Sequence, residues 1–202
     1  MCYDDFMAKT RFIVGIDEVG RGPLAGPLTV GAVLIDSKVS KTGLFDGVRD
    51  SKRLSANKRL LWYYKFIAHP DLLYAVASVS AQAIDRLGIS VAARQAVKSV
   101  LDRLAKKAGI KHLTRRVFIY LDGSLYAPKA FRQKTVIKGD ERIPVIAAAS
   151  IIAKVSRDRM MIRHAKRWPV YGFEQHKGYG TRKHYAAIRR LGITQLHRKS
   201  FL

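Results

Sequence analysis

Short apolar runs rich in β-branched residues occur four times in the first two thirds of the chain and predict four β-strands. These runs are RFIVGI at 11–16, LTVGAVLI at 28–35, LLYAVASVSA at 72–81 and RVFIYLDG at 116–123. The first three favour an antiparallel meander. Because a helical segment separates the third run from the fourth, the fourth strand is expected to pair in parallel, which makes the sheet mixed.

Apolar residues at helical spacing predict two helices between these strands. Ser55 stands at the N-cap position of the first helix, whose apolar residues at helical spacing are Leu60, Leu61, Tyr64 and Ile67. The second helix runs from Ser90 to Ala108, and Gly109 follows it where glycine commonly ends a helix.

Two further helices are predicted in the last third of the chain. An Ala- and Ile-rich helix over 145–162 is interrupted by Asp158, and its expected buried side chains are Ile151, Ile152, Val155 and either Met161 or Ile162. A glycine-punctuated loop then leads to a short helix over 181–191. At 202 residues the chain is long enough for one compact domain, here 1–162, with a basic helical C-terminal segment, 163–202.

Charge adds a class of partner to this picture. The chain has 38 Lys and Arg but only 15 Asp and Glu, for a formal net charge of +23. Residues 151–202 contain 13 Lys and Arg against Asp158 and Glu174, a clustering typical of a surface that binds a nucleic-acid backbone. A basic but merely solvated surface accounts for the charge equally well.

Cysteine content and the N-terminus indicate the compartment. Cys2 is the only cysteine, which excludes disulfide frameworks and multi-cysteine zinc sites. No apolar run approaches the roughly 20 residues that span a bilayer, and the first ten residues, MCYDDFMAKT, carry acids where a signal peptide carries a basic segment. We therefore expect a cytoplasmic protein.

Four acidic residues occur in apolar elements of this basic chain. Asp17 and Glu18 end the first strand, Asp122 ends the fourth, and Asp158 lies on the apolar helix. Acids near a core need a partner, and taken singly each is best explained by a neighbouring base, as Lys154 is for Asp158. Taken together they are better explained as oxygen ligands of two Mg²⁺ ions that act on a phosphodiester. Their convergence is not visible in the sequence itself.

Glycine-containing loops offer candidates for substrate binding. The segment GRGPLAGP at 20–27 lacks the Walker and dinucleotide signatures, and its glycines either let backbone groups approach a sugar or form a simple turn. Tyr179 either stacks on a base or sugar or anchors its loop in the core. The candidate phosphate contacts are Lys52, Lys177, Arg182, Lys183, Arg198 and Lys199. The tail histidines, which match no zinc signature, are His176, His184 and His197.

Specific motifs are spread in order over nearly the whole chain. They are GIDEVGRGPLAGP at 15–27, DSKRLS at 50–55, LDG at 121–123, KGDERIPVIAAASIIAKVSRDRMM at 138–161, YGFEQHKGYGT at 171–181 and HRKSF at 197–201. Together they resemble the ribonuclease HII family. Departures are small: Val19 stands where alanine is frequent, and WPVYGF at 168–173 replaces a more usual YPGYGF.

The resemblance implies an α/β fold of the ribonuclease H type: a five-stranded mixed sheet flanked by helices, with a small helical C-terminal part that helps to hold a hybrid duplex. The implied ligands of Mg²⁺ or Mn²⁺ are Asp17, Glu18, Asp122 and Asp158. The implied contacts with the ribose 2′-hydroxyl are Gly20, Arg21 and Gly22. Tyr179 matches the tyrosine that stacks at the junction between ribonucleotide and deoxyribonucleotide.

The resemblance also bears on relatives and partners. GRGPLAGP argues against the related ribonuclease HIII, which typically has a different loop continuation and an extra N-terminal substrate-binding domain. The chain ends at HRKSFL, without the extension by which some relatives bind a sliding clamp. A clamp is therefore not an expected partner, and we expect a monomer.

The leading hypothesis is a metal-dependent endonuclease that hydrolyses the RNA strand of RNA–DNA hybrids, including single ribonucleotides in duplex DNA. A two-metal mechanism would leave 3′-hydroxyl and 5′-phosphate ends. Two alternatives stay open. A non-catalytic module that binds structured RNA would need no metal, and a DNA nuclease or Holliday-junction resolvase of the same fold would ignore the 2′-hydroxyl.

Overall fold

The computed structural model describes residues 11–41, 43–48, 54–111 and 113–202. One mixed sheet has the strand order β3-β2-β1-β4-β5. Its strands are β1 (Phe12–Val19), β2 (Leu28–Asp36), β3 (Leu72–Val79), β4 (Val117–Asp122) and β5 (Arg132–Val136). β2 pairs antiparallel with β1 and β3, whereas β4 pairs in parallel with β1 and β5. The predicted five-stranded mixed sheet is confirmed.

Seven α-helices lie in the described ranges. They are α1 (Ala56–Ile67), α2 (Ala81–Leu87), α3 (Ile89–Ala108), α4 (Gly139–Arg142), α5 (Pro144–Arg167), α6 (Phe173–His176) and α7 (Arg182–Leu191). Two predicted helix ends are confirmed: Ser55 Oγ accepts a hydrogen bond from the Lys58 N–H, and Gly109 ends α3 in the left-handed conformation with φ of 63°. None of the helices in the described part of the chain has the length and apolar character needed to cross a membrane.

Helices cover both faces of the sheet. The apolar side of α3 packs on one face through Val97, Val100, Leu101 and Leu104. The other face is covered by α5, which contributes Ile146, Ile151 and Ile152, and by Phe66 of α1. This three-layer arrangement leaves the ends of the central strands at the edge of the core, where polar groups can reach solvent.

The helix α5 lies directly on the sheet because two strand residues lack side chains. A Cβ atom at Gly15 would come within 2.2 Å of the Val145 carbonyl oxygen, and one at Gly31 within 2.6 Å of the Ala149 carbonyl oxygen. Gly31 is the register partner of Asp17. The close approach therefore places α5 against the strand end that carries Asp17.

Three details differ from the pattern-based predictions. The third strand ends at Val79 rather than at Ala81, because Ser80 accepts a hydrogen bond from the Ala83 N–H and caps α2. The residue pattern did not predict β5, since RQKTV is a polar edge strand with no apolar face. The side chains expected to face the core from α1 are the third difference.

In α1 only Ile67 of the four apolar residues at helical spacing packs against the core, so the apolar face expected from that spacing was wrong. Leu61 is 71% exposed and Tyr64 is 50% exposed, whereas Tyr63 and Phe66 are buried. The helix turns its aromatic side toward the core, because Phe66 packs against Phe45 with ring centroids 5.8 Å apart. The buried residues predicted for α5 are confirmed, with Met161 buried and Ile162 exposed, and this helix continues past the proposed boundary at 162.

Candidate active site

Two of the predicted acids lie near the ends of neighbouring parallel strands. Ile16 of β1 is the register partner of Leu121 of β4, so Asp17 and Asp122 follow at adjacent positions. Neighbouring strands lie about 4.8 Å apart. Because side chains alternate along a strand, Asp17 lies on the same side of β1 as Gly15, which is the side covered by α5.

The carboxyl groups at this edge repel one another in a buried setting. Asp17 is 4% exposed. Burial raises the pKa of Asp17 well above its ordinary value, a hydrogen bond from Ser150 of α5 opposes the rise, and the charges of Glu18 and Asp122 add to it. Burial also raises the pKa of Glu18, opposed by Arg21 and reinforced by Asp122. Asp17, Glu18 and Asp122 therefore form one electrostatically coupled group.

Hydrogen bonds to this group satisfy only part of its accepting capacity. The Glu18 N–H donates to Asp17 Oδ1 at 2.8 Å, and the Gly139 N–H donates to Asp122 Oδ1 at 2.6 Å. Arg21 Nη1 lies 3.4 Å from Glu18 Oε1. The second oxygen, Glu18 Oε2, is buried and has no hydrogen-bond donor among the residues that the structure describes.

Asp158 reaches the site through a lysine. It lies on α5, and its Oδ1 is 2.9 Å from Lys154 Nζ, the pairing that the sequence spacing suggested. Lys154 in turn lines a cavity of about 290 Å³ together with Asp17, Glu18 and Tyr179. Asp158 is thus linked to the cavity only through Lys154, whose ammonium group compensates its charge.

The carboxylate oxygens of these acids are suited to bind a divalent cation, although they do not form a ready-made metal site. Within the described ranges, no three His, Cys, Asp or Glu side chains lie close enough to form a ready-made metal centre. Carboxylate oxygens are the ligands that Mg²⁺ and Mn²⁺ prefer. Two features favour an added cation. Glu18 Oε2 is buried and has no hydrogen-bond donor among the described residues, and the three acids repel one another.

The loop at 20–27 is held from beneath by two buried arginines. Arg157 donates to the carbonyl groups of Pro27 and Ala25, at 2.9 and 3.2 Å. Arg198 donates to the carbonyl groups of three other loop residues, Gly20, Arg21 and Gly26. Burial, together with the neighbouring Arg157, lowers the pKa of Arg198 to about 10, which leaves it charged at neutral pH.

Arg198 corrects one sequence-based expectation. It was a candidate phosphate contact, yet its side chain is fully buried, and among the described residues its side chain donates hydrogen bonds only to the loop. Sequence reasoning did not single out Arg157, whose only signal was a basic residue on an apolar helix beside Asp158. Lys52 lies outside the described residues.

Tyr179 stands at the mouth of the cavity. Its side chain is 42% exposed, and its ring lies 5.9 Å from the Arg157 guanidinium. The preceding Gly178 has φ of +88°, and a Cβ atom there would come within 2.2 Å of the Ala25 carbonyl oxygen. The glycine thus lets the tyrosine loop lie against the loop at 20–27, and the exposed ring favours contact with a ligand over an anchoring role in the core.

The tail histidines form a hydrogen-bonded cluster beneath the same loop. His184 and His197 are buried, and their Nε2 atoms lie 3.1 Å apart. His184 Nδ1 lies 2.9 Å from the Tyr179 carbonyl oxygen. Burial and the neighbouring His184 lower the pKa of His197 to about 4. His197 is therefore neutral at physiological pH, and His184 supports the backbone of Tyr179.

Comparison with known proteins assigns the family. The model of the family described as Ribonuclease HII matches residues 14–202. The chain belongs to the ribonuclease HII family. Its relatives include the ribonuclease HII of Caldicellulosiruptor bescii, 40% identical over 192 residues that cover 95% of this chain and 87% of the relative. The ribonuclease HII of Burkholderia thailandensis is 42% identical over 197 residues, covering 98% and 86%.

Solved structures share the fold. The ribonuclease H2 of Pyrococcus horikoshii OT3 has a TM-score of 0.73 and 28% identity, covering 94% of this chain and 93% of that one. The ribonuclease HII in a PCNA complex from Archaeoglobus fulgidus has a TM-score of 0.68 and 27% identity, covering 95% of both chains. The more distant Bst-RNase HIII, solved in complex with Mn²⁺, has a TM-score of 0.70 at 19% identity and supports the fold alone.

Family membership confirms three sequence-based predictions. The resemblance itself, the ribonuclease H-like fold and the enzyme class all hold. The chain is an endoribonuclease, a hydrolase that acts on the RNA of RNA–DNA hybrids, and its family depends on divalent metal. A non-catalytic RNA-binding module is therefore excluded.

Proposed function

We propose that this enzyme cleaves duplex DNA at a single embedded ribonucleotide as well as longer RNA–DNA hybrids, using two Mg²⁺ or Mn²⁺ ions. The observation that supports this proposal is the electrostatic interaction among Asp17, Glu18 and Asp122 near the ends of β1 and β4. Asp17 and Glu18 also line a cavity together with Tyr179. The proposed metal ligands are these three acids and Asp158. A phosphodiester is a typical substrate of two-metal hydrolysis.

The protein's own residues prepare this site in two ways. Asp17 and Asp122 are fixed by hydrogen bonds from Glu18 and Gly139, so their carboxylates need little reorganisation to bind cations. Lys154, which lines the cavity, holds the Asp158 carboxylate, and this carboxylate would be available to a bound metal ion. Bound divalent ions would supply an activated water and stabilise charge on the leaving 3′-oxygen.

Recognition of RNA is assigned to the loop and the tyrosine. The proposed contacts with the ribose 2′-hydroxyl are Gly20, Arg21 and Gly22, which lie next to the acids in the chain. Tyr179 is proposed to pack on the deoxyribose that follows the ribonucleotide, where an extra hydroxyl would clash. Its exposed ring at the mouth of the acidic cavity supports this role.

Affinity is assigned mainly to the basic C-terminal segment, 163–202, with Lys52 as a further phosphate contact. The helix α7 presents exposed basic side chains at Arg182, Lys183, Arg189 and Arg190. Such contacts bind any duplex backbone and position it without reading its sequence.

We propose that a monomer acts in the cytoplasm without a sliding clamp, in contrast to the PCNA complex of the Archaeoglobus fulgidus protein.

A cleavage comparison tests the proposed specificity. Three labelled duplexes of one sequence, with a single ribonucleotide, a full RNA strand or DNA only, are incubated with and without Mg²⁺, beside an all-DNA four-way junction. We expect metal-dependent cleavage of the first two alone. Cleavage of the all-DNA junction would instead favour a resolvase, and failure on the single-ribonucleotide duplex would restrict the enzyme to longer hybrids.

A further inference from the structure

Arg198 directs its whole guanidinium group at the backbone of one loop. Its Nη1 donates to the Arg21 carbonyl oxygen at 2.8 Å, and its Nη2 donates to those of Gly20 and Gly26 at 2.6 and 2.8 Å. Its Nε also donates to the Gly26 carbonyl oxygen, at 3.0 Å. Among the described residues, no carboxylate forms an ion pair with this buried cation. Its binding partner is therefore the loop itself.

Because the peptide group is planar, these contacts also fix the direction of the N–H groups of Arg21 and Gly22. In a planar trans peptide, the C=O and the N–H of the same unit point in opposite directions. The Gly20 carbonyl belongs to the peptide unit that carries the Arg21 N–H, and the Arg21 carbonyl to the unit that carries the Gly22 N–H. Because Arg198 draws both carbonyl groups toward the interior, the two N–H groups point away from it.

The outer side of the loop has room for a ligand. Gly22 is exposed, and among the described residues nothing lies within 4 Å of a Cβ atom built there. Gly20 has φ of +92°, and a Cβ atom at that position would come within 2.3 Å of Arg157 Nε. The glycine at 20 thus serves packing on the arginines, whereas the glycine at 22 keeps the outer surface open.

The charge of Arg198 strengthens the outward-pointing donors. A carbonyl group that accepts from a cation is polarised, and the N–H of the same peptide unit becomes a better donor. The effect is greatest where the cation is buried, as Arg198 is. Two such N–H groups side by side attract an electron-rich oxygen.

Arg157 fixes the other end of the loop to the tyrosine segment. Besides Pro27 and Ala25, it donates to the Lys177 carbonyl oxygen at 2.9 Å, two residues before Tyr179. The two parts of the chain assigned to ribonucleotide recognition are therefore bonded to the same guanidinium.

We propose that Arg198 is a positioning residue for RNA recognition, because it aims and polarises the N–H groups of Arg21 and Gly22 toward the ribose 2′-oxygen. The inference rests on the proposed function, in which this loop reads the 2′-hydroxyl. A lysine at 198 would keep the charge, but its single ammonium group cannot match the planar fork that reaches three carbonyl groups.

The test compares Arg198→Lys with wild type and with Arg94→Lys, a matched change at an exposed position on α3. We measure kcat and KM on the single-ribonucleotide duplex, affinity for an all-DNA duplex of the same sequence, and the melting temperature. We expect kcat to fall about tenfold or more in Arg198→Lys, with KM and all-DNA affinity within about twofold and Arg94→Lys unchanged.

Each outcome has a distinct meaning. If Arg198→Lys has a lower melting temperature but keeps the wild-type kcat at temperatures where it is folded, the arginine only stabilises the fold. The inference is then wrong. An equal loss of kcat and all-DNA affinity would also overturn it. If wild type itself fails on the single-ribonucleotide duplex, the proposed function fails instead.

A second measurement needs no variant and applies even if Arg198→Lys does not fold. The amide resonances of Arg21 and Gly22 in the wild-type protein are followed without metal while either duplex is added. Contact with the 2′-oxygen predicts larger shifts of these two resonances with the single-ribonucleotide duplex than with DNA alone. Identical shifts with both duplexes would contradict the proposal.

Discussion

Replacing His197 by glutamine should make the stability of the fold less dependent on pH between about 6.5 and 4. The Thr194 N–H donates to His197 Nδ1 at 2.9 Å, so that nitrogen carries no proton. Nε2 must then carry the proton that it shares with His184 Nε2, 3.1 Å away. Adding a proton to His197 would set two N–H groups against each other at Thr194.

The magnitude follows from the pKa of His197, which lies at about 4 in the fold against an ordinary 6.5. Between these values the unfolded chain binds a proton that the folded chain does not. Stability is therefore fully present above pH 6.5 and falls as the pH falls, by up to about 1.4 kcal/mol for each pH unit and about 3 kcal/mol in all. That is a large share of a typical folding free energy.

The assay is denaturant unfolding of wild type and His197→Gln at several pH values from 7.5 to about 4.5. At pH 7.5 the variant should be less stable by about 1 kcal/mol, because a buried hydrogen bond is weakened. Toward pH 4.5 the gap should close or reverse, since glutamine takes up no proton. Parallel curves for the two proteins would refute this account of the histidine cluster.

Three further predictions concern the site and its support. Asp17→Asn should lower the Mg²⁺-supported rate by orders of magnitude, because it removes a proposed metal ligand. It should not lower the melting temperature, because repulsion among the acids is relieved. The exposed Asp102→Asn is the control, and normal cleavage by Asp17→Asn would contradict the ligand assignment. Tyr179→Ala should reduce cleavage of the single-ribonucleotide duplex far more than affinity, with Tyr179→Phe largely active, and equal rates for Ala and wild type would remove the ring from the site. Gly15→Ala should destabilise the fold by about 1–3 kcal/mol in urea unfolding; no change would mean that α5 does not lie on β1 as described.

Much of the site could be predicted because it lies at strand ends. Asp17 and Asp122 each follow a continuous apolar run, a local pattern that places them at the edge of the core. The parallel register then brings them side by side. Family resemblance added the roles proposed for Gly22 and Tyr179, which residue patterns alone left open.

The buried arginines could not be predicted from local patterns. Arg157 and Pro27 are 130 positions apart, and Arg198 and Arg21 are 177 apart, so their contacts exist only after the chain has folded. A basic residue in a basic tail is expected to be solvated or to bind phosphate, but Arg198 is buried in the folded chain. The face of α1 was wrong for a related reason: spacing fits two sides of the helix, and tertiary packing of Phe66 selects one.

The chemistry of the cleaved ends tests the central claim most directly. A duplex with one ribonucleotide is labelled at either end of the cut strand, and its products are identified after incubation with Mg²⁺. Hydrolysis by a metal-activated water predicts 3′-hydroxyl and 5′-phosphate ends, formed only when the metal is present. A 2′,3′-cyclic phosphate would show that the 2′-hydroxyl itself attacks, and the same cleavage in chelator would show that no metal is needed. Either result would contradict the role given to the four acids.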